Sequence, residues 1–302
     1  MNIKVFNEEL LPSAAKLFRQ NMLYDIMPDF LLKEKTVDDP DFDPELTLLA
    51  YNDDNTLVGF IQGIIRRRDN ERLGYVKLLC IDSNERRKGI AKELYNIIEK
   101  KFIAEKINKI RVYESWPNYF MPGVDPFYTE AVCFFERMGF VKIGDTSNLE
   151  VDLINQNFMT DSEVSELQSK GFNLRRAAAD DKIRVLQWIR SNFPAWEIEV
   201  TRTFQNSPIS IHLAEKEDNI IAFSAFEGNN TGTGWFGPMG TTEAARGMGI
   251  GGVLYKKCLN DMKAIGFTKA TIPWVGPIPF YMHYSNARVK RVFWRYEKVL
   301  QQ

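Results

Sequence analysis

Cysteine and histidine are scarce in this chain of 302 residues, which has three cysteines and two histidines. Cys80, Cys133 and Cys258 lie in apolar segments without the spacing of a zinc or redox motif, so we expect buried free thiols and no metal site. The formal net charge of −1 favours neither a nucleic-acid partner nor a disordered acidic tail. A basic-then-apolar start and any run of about 18 apolar residues are also missing, so we expect a cytoplasmic protein without a membrane partner.

One short phrase occurs twice in a chain long enough for two domains. Arg86-Arg87-Lys88-Gly89-Ile90-Ala91 and Arg246-Gly247-Met248-Gly249-Ile250-Gly251 begin 160 positions apart. Each follows an apolar, strand-like run and opens a helix-like run. At such a turn backbone N–H groups converge on a helix N-terminus, where they and the helix dipole attract a diphosphate. The alternative is a helix start that merely contains glycine, and a second copy at a matched position weighs against it.

The elements around the two phrases follow the same order, which predicts a duplicated α+β unit with a mixed sheet flanked by helices. We expect an N-terminal domain at 1–154, a helical linker at 155–170 and a C-terminal domain at 171–302. A dinucleotide-binding fold is disfavoured, because its glycine motif lies early in a βαβ unit and these turns follow several strands. The run Arg66-Arg67-Arg68, at a strand end, is expected to be a solvated hairpin tip, and the alternative is contact with the 3′-phosphate of a coenzyme or with an acidic partner.

The phrase Arg-x-x-Gly-x-(Gly or Ala) between a strand and a helix resembles the acetyl-CoA pyrophosphate motif of the GCN5-related N-acetyltransferases (GNAT). The matching positions are Arg86, Gly89 and Ala91, then Arg246, Gly249 and Gly251. Residues 131–140 (AVCFFERMGF) are similar to the next motif of that family, Ala-x-x-Phe-Tyr-x-x-x-Gly-Phe. The resemblance covers nearly the whole chain and implies two tandem GNAT-like domains that use acetyl-CoA as co-substrate, without a metal.

Carried over position by position, the resemblance implies coenzyme contacts in both halves. They are Ile81, Arg86, Arg87, Lys88, Gly89, Ile90 and Ala91 in the first half, and Met239, Thr241, Arg246, Gly247, Met248, Gly249, Ile250 and Gly251 in the second. Backbone N–H groups around Met239 and Thr241 are expected to hold the thioester carbonyl and the pantetheine amides, an electrostatic contribution to catalysis.

The resemblance also implies a tyrosine in the later motif as general acid for the departing thiolate. Phe135 stands there in the first half and Tyr281 in the second, and only a phenol can give a proton. We therefore expect chemistry in the C-terminal domain and a catalytically degenerate N-terminal domain, whose coenzyme binding stays open. For Tyr281 the alternative is packing beside Phe280. Glu227, at a strand end, is the candidate general base, and the alternative is a solvated loop acid.

These features predict transfer of an acetyl group to the primary amine of a small molecule. The segments 119–126 and 274–279 make the chain similar to bacterial glucosamine and glucosaminide N-acetyltransferases, so an amino sugar such as glucosamine is the expected acceptor. Two alternatives stay open, a peptide or protein N-acetyltransferase and a non-catalytic acyl-CoA-binding sensor. We expect no nucleic-acid partner and a monomer or homodimer.

Overall fold

The computed structural model describes residues 1–68 and 71–300. In chain order its strands are β1 Asn2–Val5, β2 Thr47–Tyr51, β3 Leu57–Arg68, β4 Glu71–Ile81, β5 Lys109–Val112, β6 Val141–Asp152, β7 Phe172–Arg176, β8 Ile211–Lys216, β9 Asn219–Phe226, β10 Phe236–Thr241, β11 Lys269–Ile272 and β12 Arg288–Val299. Its α-helices are α1 Leu11–Asn21, α2 Asp29–Lys35, α3 Ile90–Ala104, α4 Thr129–Arg137, α5 Asp161–Ser169, α6 Lys182–Asn192, α7 Glu197–Thr203, α8 Ile250–Ala264 and α9 Ile278–Ser285. The predicted α+β class is confirmed, and the segment predicted as a linker contains α5.

The chain divides into two compact units. Unit 1 consists of Met1–Thr146 and Phe293–Gln302, and unit 2 of Ser147–Val292. In unit 1 the strand order is β1-β2-β3-β4-β5-β12-β6, with β4 and β5 parallel and β12 antiparallel to β5. Unit 2 contains the antiparallel sheet β10-β9-β8-β7 and the antiparallel pair of β6 and β11. Because the unit borders fall inside β6 and β12, each of these strands supplies residues to both units.

Glycine on β3 lets α3 pack closely against the sheet of unit 1. Ile90, Leu94, Ile98 and Phe102 recur at helical spacing on one face of α3 and are buried. A Cβ at Gly63 would lie 2.7 Å from Ile98 Cγ2, so a larger residue there would push the helix away. This close packing fixes where α3 begins, directly after the first glycine turn.

The cysteines follow the prediction in part. All three are free thiols, and Cys80 and Cys258 are buried, but Cys133 is exposed because it lies on the outer face of α4. Throughout 1–68 and 71–300, no helix combines the length and apolar character needed to span a membrane. Over the same ranges, no group of three or more His, Cys, Asp or Glu side chains could hold a metal ion.

Residues from the end of the chain complete the core of unit 1, so their removal should destabilise it. Tyr296 on β12 is fully buried in that core, and its hydroxyl donates to Glu136 Oε1 at 2.9 Å. We expect Tyr296→Ala to lower the free energy of unfolding by about 3 kcal/mol through the cavity and the lost hydrogen bond. Val299→Ala, at a position 65% exposed on the same strand, is the matched control and should change it by less than about 1 kcal/mol. Equal midpoints for both variants in urea unfolding would contradict this role of β12.

Candidate active site

The two glycine turns have the same backbone conformation. In the first, Arg87 and Gly89 have positive φ angles of 65° and 91°; in the second, Gly247 and Gly249 both have φ of 78°. A left-handed residue at every second position aims successive N–H groups at one point, a concave arrangement that binds anions. No atom lies within 4 Å of a Cβ built on Gly89 or Gly249, so both concavities face open space.

The arginines of the two turns differ in their surroundings. Arg86 is half-buried, and its guanidinium lies 3.3 Å from Glu130 Oε1 and donates to the carbonyl oxygens of Asn21 (3.3 Å) and Ile81 (3.4 Å). Arg246 is exposed, and within the described ranges its side chain has no ion-pair partner.

The remaining predicted coenzyme residues divide into exposed and anchoring positions. Exposed are Arg87, Lys88, Gly89, Gly247, Met248 and Gly249, and the buried anchors are Ile90 and Ile250. Lys88 pairs with Glu85 at 2.9 Å. Ala91 and Gly251 are half-buried in the first helical turns, so each turn presents backbone to solvent while its helix is held by one isoleucine.

In unit 2 the strand that leads to the turn separates from its parallel neighbour. Trp235 and Thr271 form one isolated parallel bridge, next to which Thr271 N–H donates to the Gly234 carbonyl at 2.7 Å. On its other side β10 pairs with β9, with a register shift between Phe236 and Met239. Residues 239–241 lie beyond this bulge, along the gap that opens between β10 and β11.

Met239 and Thr241 lie beside the first turn of α8. A Cβ built on Gly251 would be 3.6 Å from Met239 Cε and 3.5 Å from Thr241 Oγ1. The structure therefore brings these predicted residues together with the second glycine turn. The equivalent place in unit 1 joins Ile81, the last residue of β4, to the first turn.

Tyr281 lies on α9 among aromatic rings. Its ring centroid is 5.3 Å from that of Tyr255 and 6.1 Å from that of Phe236, the first residue of β10. Burial raises the pKa of the Tyr281 phenol to about 12, so the group stays protonated at neutral pH. Among the described residues its hydroxyl has no hydrogen-bond partner, which leaves the proton available to a ligand.

Glu227 is a buried carboxylate rather than a solvated loop acid. It follows β9 with a left-handed φ of 54°. Its carboxylate accepts from the N–H groups of Trp235, at 2.7 Å, and Gly232. Asn206 Nδ2 donates to its carbonyl oxygen at 3.1 Å. These bonds close the loop before β10 and hold the carboxylate near the start of that strand.

The structure also shows the surroundings of His283 on α9 and of the two segments, 119–126 and 274–279, that resemble glucosamine N-acetyltransferases. His283 is exposed. Trp274 has a positive φ of 43°, and its N–H donates to Asn148 Oδ1 at 3.0 Å. In the segment 119–126, Phe120 and Met121 pack in the core of unit 1.

An aromatic cluster lies against β10 of unit 2 and was missed by sequence reasoning. The rings of Phe193 and Trp196 stack with centroids 5.4 Å apart, and Trp188 lies 5.4 Å from Phe193. All three are half-buried. A Cβ at Gly240 would approach Phe193 Cζ to 2.8 Å, so the glycine makes room for this ring against the strand. In the sequence, the feature that could have indicated this cluster is the presence of three aromatic residues around the turn between α6 and α7.

The corresponding face of unit 1 carries buried charges instead. Lys77 interrupts the apolar run of β4 at a register shift with β3, and its ammonium contacts Asp39 and the Lys35 carbonyl. Arg66 binds Asp39 with both terminal nitrogens, at 2.7 and 2.6 Å, and also contacts Asp41. The prediction of a solvated tip was wrong for Arg66, because two carboxylates neutralise it in the interior; the side chain of Arg68 lies outside the described part of the structure.

The pKa values within this cluster shift in opposite ways. Burial alone would raise the pKa of Asp39, but Lys77 and Arg66 outweigh it and hold that pKa below its usual value. Burial lowers the pKa of the Lys77 ammonium to about 7, against the attraction of Asp39. Asp39 is therefore the charge on which the two buried cations depend.

Comparison with known proteins supplies the family. A sequence profile described as "Acetyltransferase (GNAT) family" matches residues 16–140 and 182–281, about three quarters of the chain. The comparison with curated proteins gave no match.

Solved structures with the same fold cover both halves of the chain. One is the GCN5-related glucosamine N-acetyltransferase region of a fungal multi-domain GH3 β-N-acetylglucosaminidase, with a TM-score of 0.80 and 18% identity; the match covers 98% of this chain but only 38% of that one. A GCN5-related N-acetyltransferase from Sphaerobacter thermophilus has a TM-score of 0.70 and 13% identity, covering 100% and 96%. A tandem GNAT protein from the clavulanic acid biosynthesis pathway has a TM-score of 0.71 and 13% identity, covering 100% and 99%.

Asp39→Asn should destabilise unit 1 strongly, because it leaves Lys77 and Arg66 buried without their shared carboxylate. We expect a loss of about 3 kcal/mol in the free energy of unfolding, measured by urea at neutral pH. Asp41→Asn is the matched control, since it also contacts Arg66 but is 49% exposed, and should cost less than about 1 kcal/mol. If the two variants unfold at the same urea concentration, the cluster does not depend on Asp39.

Proposed function

The chain belongs to the GNAT family of N-acetyltransferases, and from this premise we propose that unit 2 transfers the acetyl group of acetyl-CoA to the primary amine of a small molecule. The observation that carries the proposal is the phenol of Tyr281, whose hydroxyl has no hydrogen-bond partner in the described part of the chain. Its ring lies 6.1 Å from that of Phe236, at the start of the strand that leads to the second glycine turn. Both glycine turns fit a diphosphate, because their left-handed residues leave converging N–H groups open to solvent.

Each part of unit 2 has a role in the proposed reaction. The turn at 246–251 holds the diphosphate, and N–H groups at 239–241 hold the thioester carbonyl as its oxygen gains charge. Glu227 takes a proton from the acceptor ammonium, so that the neutral amine can attack the carbonyl carbon. As the C–S bond breaks, Tyr281 gives its proton to the departing sulfur.

We propose an amino sugar such as glucosamine as the acceptor. The half-buried rings of Phe193, Trp196 and Trp188 offer flat apolar surfaces beside β10, which suit the C–H face of a sugar ring. The similarity in fold to a glucosamine N-acetyltransferase region is in keeping with this choice. Release of coenzyme thiol with glucosamine, aminoglycosides, polyamines, amino acids and short peptides tests it. Turnover with peptides alone would favour a peptide N-acetyltransferase, and none with any amine would favour a sensor.

Tyr281→Phe should lower kcat by about 100-fold with little change in acetyl-CoA affinity, because it removes the proton donor and keeps the ring. Stopped assays of thiol release and calorimetry of acetyl-CoA binding measure the two effects. Tyr284→Phe on the same helix is the matched control and should keep full turnover. A fully active Tyr281→Phe variant would refute the assignment of the acid.

The variant Glu227→Gln distinguishes a general base from a carboxylate that only holds the loop by hydrogen bonds. The amide oxygen can still accept a backbone hydrogen bond, whereas it cannot take a proton from the acceptor at neutral pH. We expect kcat/KM to fall about 100-fold. A lower melting temperature with an unchanged kcat/KM would show that the carboxylate only holds the loop.

A further inference from the structure

Unit 1 keeps the strand geometry of an acetyl-transfer site. β4 pairs in parallel with β5 only at 74–76 with 110–112. The N–H of Tyr113 then donates to the Val76 carbonyl at 2.9 Å, after which the two strands separate. β4 continues to Ile81 and leads into the first glycine turn. Lys77 forms a bulge on its other side, as residues 237–238 do on β10.

A phenol lies in this gap although α4 does not supply one. Phe135 has no hydroxyl, but the ring of Tyr113 lies 5.7 Å from it at 88°. Tyr113 packs on the core clusters of both faces of the sheet, so its ring lies between the faces, where β4 and β5 part. The Tyr113 side chain is thereby placed at the point where β4 loses its parallel partner.

The backbone holds Tyr113 in a conformation that tyrosine rarely adopts. Its φ is 65°, and such strain costs about 1–3 kcal/mol and is concentrated at functional sites. The Ser115 N–H donates to the Tyr113 carbonyl at 2.6 Å, which fixes the chain reversal. Within 1–68 and 71–300 the hydroxyl has no hydrogen-bond partner. Burial raises the pKa of this phenol, so it carries its proton at neutral pH.

We propose that unit 1 is a second acetyl-transfer site, in which Tyr113 at the end of β5 gives the proton to the departing sulfur. This inference rests on the acetyl-CoA chemistry proposed for unit 2. The amine nitrogen bonds to the thioester carbon, and the C–S bond breaks with its electron pair on sulfur. Sulfur takes the Tyr113 proton, and the phenolate regains a proton from the newly acylated nitrogen. The products are the amide and the free thiol, so Phe135 does not make the unit inert.

The test isolates unit 1 in the full-length chain. Gly249→Asp places a negative charge in the second turn, so binding of acetyl-CoA should fall from two molecules per chain to one by calorimetry. The remaining turnover, measured with glucosamine and the amine panel, should fall about 100-fold on adding Tyr113→Phe, while the one remaining binding site is kept. Adding Tyr95→Phe instead should leave turnover unchanged, because the Tyr95 hydroxyl donates to Glu99 at 2.7 Å, away from the gap. Adding Gly89→Asp should abolish binding and turnover.

Three results would overturn the inference: a Gly249→Asp chain that binds no acetyl-CoA, one that binds it without turnover, or unchanged turnover on adding Tyr113→Phe. Binding without turnover would mean that Tyr113 only packs in, or blocks, a site at which no acetyl transfer occurs. An active wild-type protein that loses all turnover with Gly249→Asp keeps the proposed function of unit 2 and refutes only this inference. A wild-type protein inactive with every amine refutes the proposed function itself.

Discussion

The separation of a strand from its parallel neighbour is the constraint on which both units depend. Where β10 leaves β11, and β4 leaves β5, the strand edge that faces the gap no longer pairs with its parallel neighbour. Buried backbone groups rarely stay unpaired, because the loss costs as much as a broken hydrogen bond. A ligand with its own amides, such as pantetheine, can complete the ladder, and the glycine turn at the end of each strand offers N–H groups to its diphosphate.

The faces beside these gaps differ more than the gaps do. Unit 1 seals its face with Lys77, Arg66 and Asp39, a network that stays stable only while every charge has a partner. Unit 2 has glycine and proline at its bulge and stacked rings nearby. Beside similar turns and strand gaps, the two units thus have different side chains: buried ion pairs in unit 1 and half-buried aromatic rings in unit 2.

Local features were predictable from the sequence, and features set by distant pairing were not. The glycine turns, the α+β class and the helix that carries Tyr281 follow from spacing within a few residues. No local pattern indicates that the segment beginning at Phe293 joins unit 1, because strand partners are chosen by the assembled sheet. Burial of Lys77 and Arg66 could not be predicted either, because their charges are neutralised by Asp39, which lies far away in sequence. The contacts of Glu227 likewise depend on a loop closing on itself.

The position of a proton donor is fixed by the point where sulfur leaves, and more than one element can reach that point. In unit 2 the phenol comes from α9, and the residue after β11 is Pro273, which has no N–H to extend the pairing of the strands. In unit 1 the residue after β5 is Tyr113, whose N–H adds one more bond to β4 and whose side chain packs on the core clusters of both faces of the sheet. The ring of Phe135, which stands on α4 where a phenol was expected, lies 5.7 Å from the ring of Tyr113 at the end of β5. A comparison of motifs that considers α4 alone would note that Phe135 has no hydroxyl and would overlook Tyr113.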